Sequence, residues 1–398
     1  MRVLFSSDWH LGYELGGANR ADRLPDQLRQ IACIAAYLEE HEVDVLAIAG
    51  DVFEAQDRAR ARSAVGAMLE ALRAPLQRGL QVVAIAGNHD RDYFMETANL
   101  WLEASLPAGA DAQRLVLRTR PELLTVAARD EAVSFILAPF PTASRYDVTL
   151  DPSRGGAARN EQMARGYVGR LAQLQKEAAA LRRPTVLMTH VTVEGTEVGP
   201  HRIEPRDDVV IPRSAFPEFE LTVVGHIHKP EKLGGGHFYY VGALDRMDIG
   251  ERDYEPRVLL ADIGPKGVRD LQSLPLDPTP FADVVASSEA DLRAARDRIA
   301  RPDETLVRLR LEVPYGTYTA PLIDAARTLF PRLYGDVKHD WQGRPAVQPA
   351  VEGLQPENVE ATVRRYLAEQ VEDETERAAL LALVEELLAE NAVEGSPT

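Results

Sequence analysis

Nine residues able to bind a metal or move a proton stand where apolar runs stop. VLFSS (3–7) leads into Asp8-Trp9-His10, VLAIAG (45–50) into Asp51, and VVAIAG (82–87) into Asn88-His89-Asp90. VLMT (186–189) leads into His190, and LTVVG (221–225) into His226-Ile227-His228. A lone histidine at a strand end reads as hydrogen-bonded structure, and a lone aspartate as a helix N-cap. Neither reading accounts for five such ends holding five of the nine histidines. Carboxylate, imidazole and amide-oxygen donors without a thiolate suit manganese, iron or zinc and exclude a structural cysteine site. Seven candidate ligands (Asp8, His10, Asp51, Asn88, His190, His226, His228) are too many for one catalytic ion that keeps a position open. Two ions bridged by one carboxylate accommodate them, and such pairs clamp the attacking and leaving oxygens of a phosphoryl group. The pattern points to phosphate-ester hydrolysis by a hydroxide that two metals activate.

The elements positioning these residues follow from the same runs. Continuous apolar stretches of four to eight residues suit strands buried on both faces. Sites in α/β sheets form beyond the carboxyl ends of such strands. Residues two apart in extended chain share a side, so Asp8 with His10, and His226 with His228, are expected to reach one point each. Trp9 is then turned into the core. Gly50, Gly87 and Gly225 are expected to let the chain turn sharply as it leaves the sheet. Between the runs, RLPDQLRQIACIAAYLEEHE (23–42) carries apolar residues at helical spacing, and ARSAVGAMLEALRAPLQRG (61–79) and EQMARGYVGRLAQLQKEAAALRR (161–183) read as two further helices. RLVLRT (114–119), AVSFILAPF (132–140) and FYYVGAL (238–244) add strands without intervening helices, which predicts a mixed sheet or two sheets. GTEVGPHRIEPRDD (195–208) and SRYDVTLDPSRGG (144–156) read as loops.

LPLDPTP (274–280) marks a boundary, beyond which a helix, an alternating strand (TLVRLRLEVPYG, 305–316) and another helix form a small α+β module. Two apolar stripes follow, one at Val359, Val363, Tyr366 and Leu367 and one at Leu380, Leu383, Val384, Leu387 and Leu388. The expected domains are residues 1–272, 281–345 and 354–392.

The chain has 398 residues, 45% of them hydrophobic and 27% charged, the balance of a soluble globular protein. Its net charge is −17, but 12 acidic against 3 basic residues fall after position 351, so about half the excess belongs to the tail and local basic patches remain open elsewhere. The one cysteine, Cys33, lies inside a helical pattern and is read as core. No run approaches the ~18 apolar residues of a membrane span, and the N-terminus reads as a strand rather than a signal peptide. A cytoplasmic enzyme is expected.

Taken in order, D-x-H, G-D, G-N-H-D, H and G-H-x-H resemble the calcineurin-like metallophosphoesterases. SSDWHLG, GDVFE, GNHD, GHIHKP and YYVGALDRMDIGE further resemble the SbcD-type DNA repair nuclease subunits within them. The resemblance implies a four-layer α/β/β/α sandwich with a small α+β capping domain for DNA recognition and C-terminal partner-docking helices. It implies two divalent ions, manganese above all. Asp8, His10 and His228 would hold the first ion, Asp51 would bridge, and Asn88, His190 and His226 would hold the second. His89 would contact the phosphate and assist the leaving oxygen, with Asp90 orienting its imidazole. The implied activity is exonuclease cleavage of double strands and endonuclease cleavage of single strands, at DNA ends and hairpins. The implied partners are DNA, an SbcC-type coiled-coil ATPase and a second copy of the chain. Glu54 departs from the family's usual Asp or His and is a candidate substrate-binding residue, as are Arg58, Arg60 and Arg62 of the RARAR run. The alternatives are a phosphodiesterase of small nucleotides and a catalytically weak scaffold for a DNA-bound ATPase. The C-terminal stripes dock either on a partner or on their own domain.

Overall fold

The computed structural model describes residues 1–54, 58–104, 115–198, 201–203, 208–343, 377–378 and 380–381. Met1–Trp341 form one compact unit and Gln342–Thr398 a second. The stripes expected at 354–392 lie outside the described residues, except that Arg377, Ala378, Leu380 and Leu381 are helical.

The expectation of a mixed sheet or two sheets is met on both counts: among the described residues the large domain is built on two six-stranded sheets, and each is mixed. The first has six strands in the order Gly267–Pro275, Arg257–Gly264, Arg2–Ser6, Val45–Ile48, Gln81–Ile85, Leu115–Arg118. The last four are mutually parallel, and Arg257–Gly264 is antiparallel to both of its neighbours, Arg2–Ser6 and Gly267–Pro275. The second runs Glu231–Lys232, Phe238–Tyr240, Leu221–Gly225, Thr185–His190, Glu131–Ala138, Glu122–Ala128. It is parallel at its centre and antiparallel at both edges.

Strand alternation sorts the apolar side chains into layers. Val3, Phe5, Val45, Ala47, Val83 and Ile85 meet Phe135, Leu137, Val186, Met188 and Val223 in a core between the sheets. Their neighbours Leu4, Leu46, Ile48, Val82 and Ala84 face the other way, onto α1 (Leu24–Glu40), α2 (Arg58–Gln77) and α3 (Asp92–Ala104). Ile136, Leu187, Val224 and Tyr240 pack beneath α4 (Gly156–Ala180). The order is helices, sheet, sheet, helix. Helix α3 has no counterpart in the sequence reading. Cys33 packs against the α1–α3 core, and fully buried Trp9 donates from Nε1 to Ser6 Oγ at 2.8 Å.

The small module is a sheet of Phe281–Ala286, Leu306–Pro314 and Lys338–Gln342, carrying α5 (Glu289–Arg298) and α6 (Ala320–Leu329). As the alternation requires, Val307, Leu309, Leu311 and Val313 are buried, the first three in a core with Leu292, Ala326 and Phe330. A buried polar cluster joins the module to α1. Arg23 donates to Asp26 at 2.9 Å and to Asp245 at 3.1 Å, while Arg332 bonds Asp26 and Thr279 N donates to Asp245 at 2.8 Å.

Candidate metal centre

All five expected segments converge beyond the carboxyl ends of the parallel strands, where the two sheets meet. Thr185–His190 and Leu221–Gly225 pair with Gly225 opposite His190, and the Asp8 amide donates to Gly50 O at 3.0 Å. Asp8, His10, Asp51 and His190 are buried, His226 and His228 half-buried and Asn88 exposed. Two of the groups the side chains form are Asp8 with His10 and His228, and Asp8 with Asp51 and His190.

The local geometry differs from the extended chain that the sequence suggested. The first strand ends at Ser6, and Asp8 and His10 are left-handed, with φ of 49° and 43°. Asp51 (49°) and His226 (88°) share that region. Such conformations cost energy in non-glycine residues and concentrate at functional sites. The glycines also act differently from one another. Gly50 has φ +96°, a true turn, but Gly87 is there for proximity, since a Cβ on it would lie 2.0 Å from Asp51 Oδ1.

Three of the four candidate histidine ligands, His190, His228 and His226, have one nitrogen tied and one aimed inward. His190 Nδ1 lies 2.7 Å from Ala49 O, leaving Nε2 3.1 Å from Asn88 Oδ1 and 3.2 Å from Asp51 Oδ2. His228 Nδ1 lies 2.6 Å from Glu251 Oε1, and its Nε2 is 3.3 Å from His10 Nε2. His226 Nε2 lies 2.7 Å from Asp208 Oδ2, and its Nδ1 is 2.9 Å from Asn88 Oδ1. Outer partners of this kind fix the tautomer and orientation of a metal-bound imidazole. Asp208 and Glu251 were not foreseen. Glu251 closes the DRMDIGE segment and Asp208 ends a segment read as a loop, so only the fold brings either to its histidine.

This donor set fits a pair of cations. Asp8 and Asp51 are buried carboxylates, and among the described residues no lysine or arginine touches either. Buried charges need partners. Without ions the imidazoles serve: burial disfavours their charge, but Asp51 raises the His190 pKa to about 9 and Glu251 that of His228 to about 9. Asp51 is itself held well below the carboxylate range, burial being outweighed by the charge of His190.

The Asp90 assignment needs correction. Its carboxylate accepts from the amides of Gly87 (2.9 Å), Phe53 (2.9 Å) and Val52 (3.1 Å), so it braces the loop and does not touch the His89 ring. Burial and the charge of Asp51 push its pKa up to about 6, against those three donors. The group beside the ring is Glu54, whose Oε2 lies 2.9 Å from His89 Nδ1 and 3.7 Å from His10 Nδ1. Burial would raise the Glu54 pKa, but the two imidazoles bring it down to about 2, and Glu54 in turn raises that of His89. Glu54 is 8% exposed and works behind His89. Of the RARAR run, Arg60 reaches Glu14 at 2.8 Å at the start of α2 and Arg62 is exposed, while the Arg58 side chain is outside the described residues.

The profile of the calcineurin-like phosphoesterases matches residues 1–230, and the chain belongs to that family. Within it, the chain is similar along most of its length to proteins named as the SbcD component of the nuclease SbcCD. The Rhodobacter capsulatus protein is 28% identical over 381 residues, covering 88% of this chain and 90% of that one. The Escherichia coli K12 protein is 25% identical over 404 residues, 96% of each chain. The Staphylococcus epidermidis protein is 21% identical over 307 residues, 75% of this chain and 76% of that one.

Proposed function

We propose that this chain is the nuclease subunit of an SbcC–SbcD-like complex and hydrolyses DNA phosphodiester bonds at ends and hairpins. The convergence of seven candidate ligands beside His89 carries the reading, in a chain similar over 96% of its length to a named SbcCD nuclease component. Asp8, His10 and His228 would hold one divalent ion and Asn88, His190 and His226 another, with Asp51 between them and manganese the expected metal. Ions so held supply Lewis acidity to the phosphoryl group and to an attacking water. Glu54 would accept a hydrogen bond from His89 Nδ1 and orient the ring, which leaves Nε2 to give a proton to the departing oxygen. Asp90 keeps the loop carrying Asn88 and His89 folded against Val52 and Phe53. Residues 281–345 would cap the nuclease domain (1–272) over the DNA, and residues 354–392 would dock the coiled-coil ATPase. The active form would be a homodimer in the cytoplasm. No helix among the described residues is long and apolar enough to cross a membrane.

The test is cleavage of end-labelled duplex and hairpin DNA with manganese, magnesium or zinc, comparing the parent with His89→Ala. Manganese-dependent cleavage is expected in the parent and lost in the variant, with metal content equal. Intact DNA together with hydrolysis of a cyclic nucleotide would move the assignment to a small-nucleotide phosphodiesterase.

A further inference from the structure

We infer that a second anion site, two strands away from the metal centre, binds the phosphodiester backbone of the substrate beyond the bond being cleaved. This rests on the nuclease reading above. The site is a cavity of about 540 Å³ whose wall includes Arg120, Arg145, Asp147, Arg165, Arg170 and Gln173. Four guanidinium groups and one carboxylate line it, while Asp92, Glu161 and Glu177 pair with Arg145, Arg165 and Arg170 from beyond the wall.

Its position follows from strand register. Glu122 pairs with Leu137, Ala138 with Thr189 and Gly225 with His190. Arg120, just before Glu122, is therefore at the same end of the second sheet as His190 and His226. Strands lie about 4.8 Å apart, so two strand spacings, about 10 Å, separate the strand after Arg120 from the strand ending in His190. One loop spans the interval. Its Phe140 ring is 6.2 Å from His190 and 5.5 Å from His226, and its Arg145 and Asp147 wall the cavity. Arg145 is 4% exposed and donates to Gly87 O and Asp90 O, both at 2.8 Å, so the cavity wall and the loop carrying Asn88 and His89 are one rigid piece.

Among the described residues Arg120 and Arg165 are held only by exposed ion pairs, and Arg170 adds bonds to Gln173 Oε1 at 3.2 Å and Pro121 O at 3.3 Å in the cavity wall. Arg120 faces Asp147 at 3.2 Å with both side chains exposed, and Arg165 and Arg170 stand 4.0 and 3.9 Å from Glu161 and Glu177. Exposed pairs of this kind contribute little, and a guanidinium takes a phosphate with two parallel bonds. The floor is also open. Gly169, inside α4, would place a Cβ within 4 Å of nothing, although glycine is disfavoured in a helix interior.

The experiment compares the parent with R120Q/R165Q/R170Q and the charge-keeping R120K/R165K/R170K, all in full-length protein. A labelled 40-base-pair duplex reports binding and cleavage, and bis(p-nitrophenyl) phosphate, too small to span the two sites, reports the metal centre. The glutamine variant should raise the duplex Kd and KM about tenfold and reduce the slope of log Kd against log salt by about two to three. The lysine variant should keep most of the parent's duplex affinity, and all three proteins should hydrolyse the small diester alike. Unchanged Kd and salt slope in the glutamine variant would overturn the proposal, as would equal losses in both variants without a change of slope. A parent that hydrolyses the small diester but neither binds nor cuts duplex would instead overturn the nuclease reading, and this site with it.

Discussion

Glu54 Oε2 lies 2.9 Å from His89 Nδ1, joining the segments that leave two adjacent parallel strands, Val45–Ile48 and Gln81–Ile85. The carboxylate is buried, its partner half-buried, and the ring is thereby presented with one nitrogen free. Replacement of Glu54 by Gln keeps the shape and removes the charge. Cleavage of DNA, whose leaving alkoxide needs a proton, should fall about 100-fold or more. Hydrolysis of bis(p-nitrophenyl) phosphate, whose leaving group needs none, should fall far less, and bound metal should be unchanged. Equal losses on both substrates would show that Glu54 acts on something other than the proton.

The Gly87→Ala variant tests how closely the loop must approach the bridging position. The added methyl would lie 2.0 Å from Asp51 Oδ1 and 2.4 Å from Asp51 N, so the carboxylate or the loop must move. Stability should fall by about 1–3 kcal/mol, since the clash includes backbone and the Gly87 amide is one of the three donors to Asp90. Metal content measured by mass spectrometry should drop from two ions per chain to one or none. Full occupancy would mean that the loop gives way without disturbing Asp51.

What could be read in the sequence was local. Asp8, His10, Asp51, His190, His226 and His228 each announce themselves at the end of an apolar run, and the converging strand ends do bring them together. Conformation was not legible: spacing by two suggested an extended Asp8–His10 pair, whereas both residues are left-handed just after the strand stops. Partners distant in sequence were not legible either. Glu54 looked like a substrate contact because nothing local shows that His89 lies against it. Asp90, next to His89 in the chain, turns its carboxylate to three amides instead. Helix α3 lacked a clean stripe among DYFMETANLWLEA, although Phe94, Met95 and Ala98 do form one buried face.

Metal uptake should release protons. Near pH 7.5 without ions, His190 and His228, with pKa values of about 9, carry protons that stand in for cations. An imidazole must lose its inward proton to become a ligand. Apparent affinity for manganese should therefore rise with pH between about 7 and 9. Calorimetric titrations in buffers of different ionisation enthalpy should report up to about two protons released per chain. A pH-independent affinity with no proton release would show that these rings are neutral before the ions arrive.

The module's attachment should weaken in acid through Asp26. Burial raises the pKa of this carboxylate, but the hydrogen bond from Arg332 and the charge of Arg23 reverse that and leave it below the ordinary value. A depressed carboxylate adds stability above its unfolded pKa of about 4 and loses it as pH falls through the folded value. Asp26→Asn also deprives Arg23, 1% exposed, of one of its two charged partners, a loss on the order of 3 kcal/mol at pH 7. Urea midpoints at pH 7 and pH 3 should show the parent losing more stability on acidification than the variant, so that the two approach each other. A gap that stays constant over this range would show that the acid sensitivity does not come from Asp26.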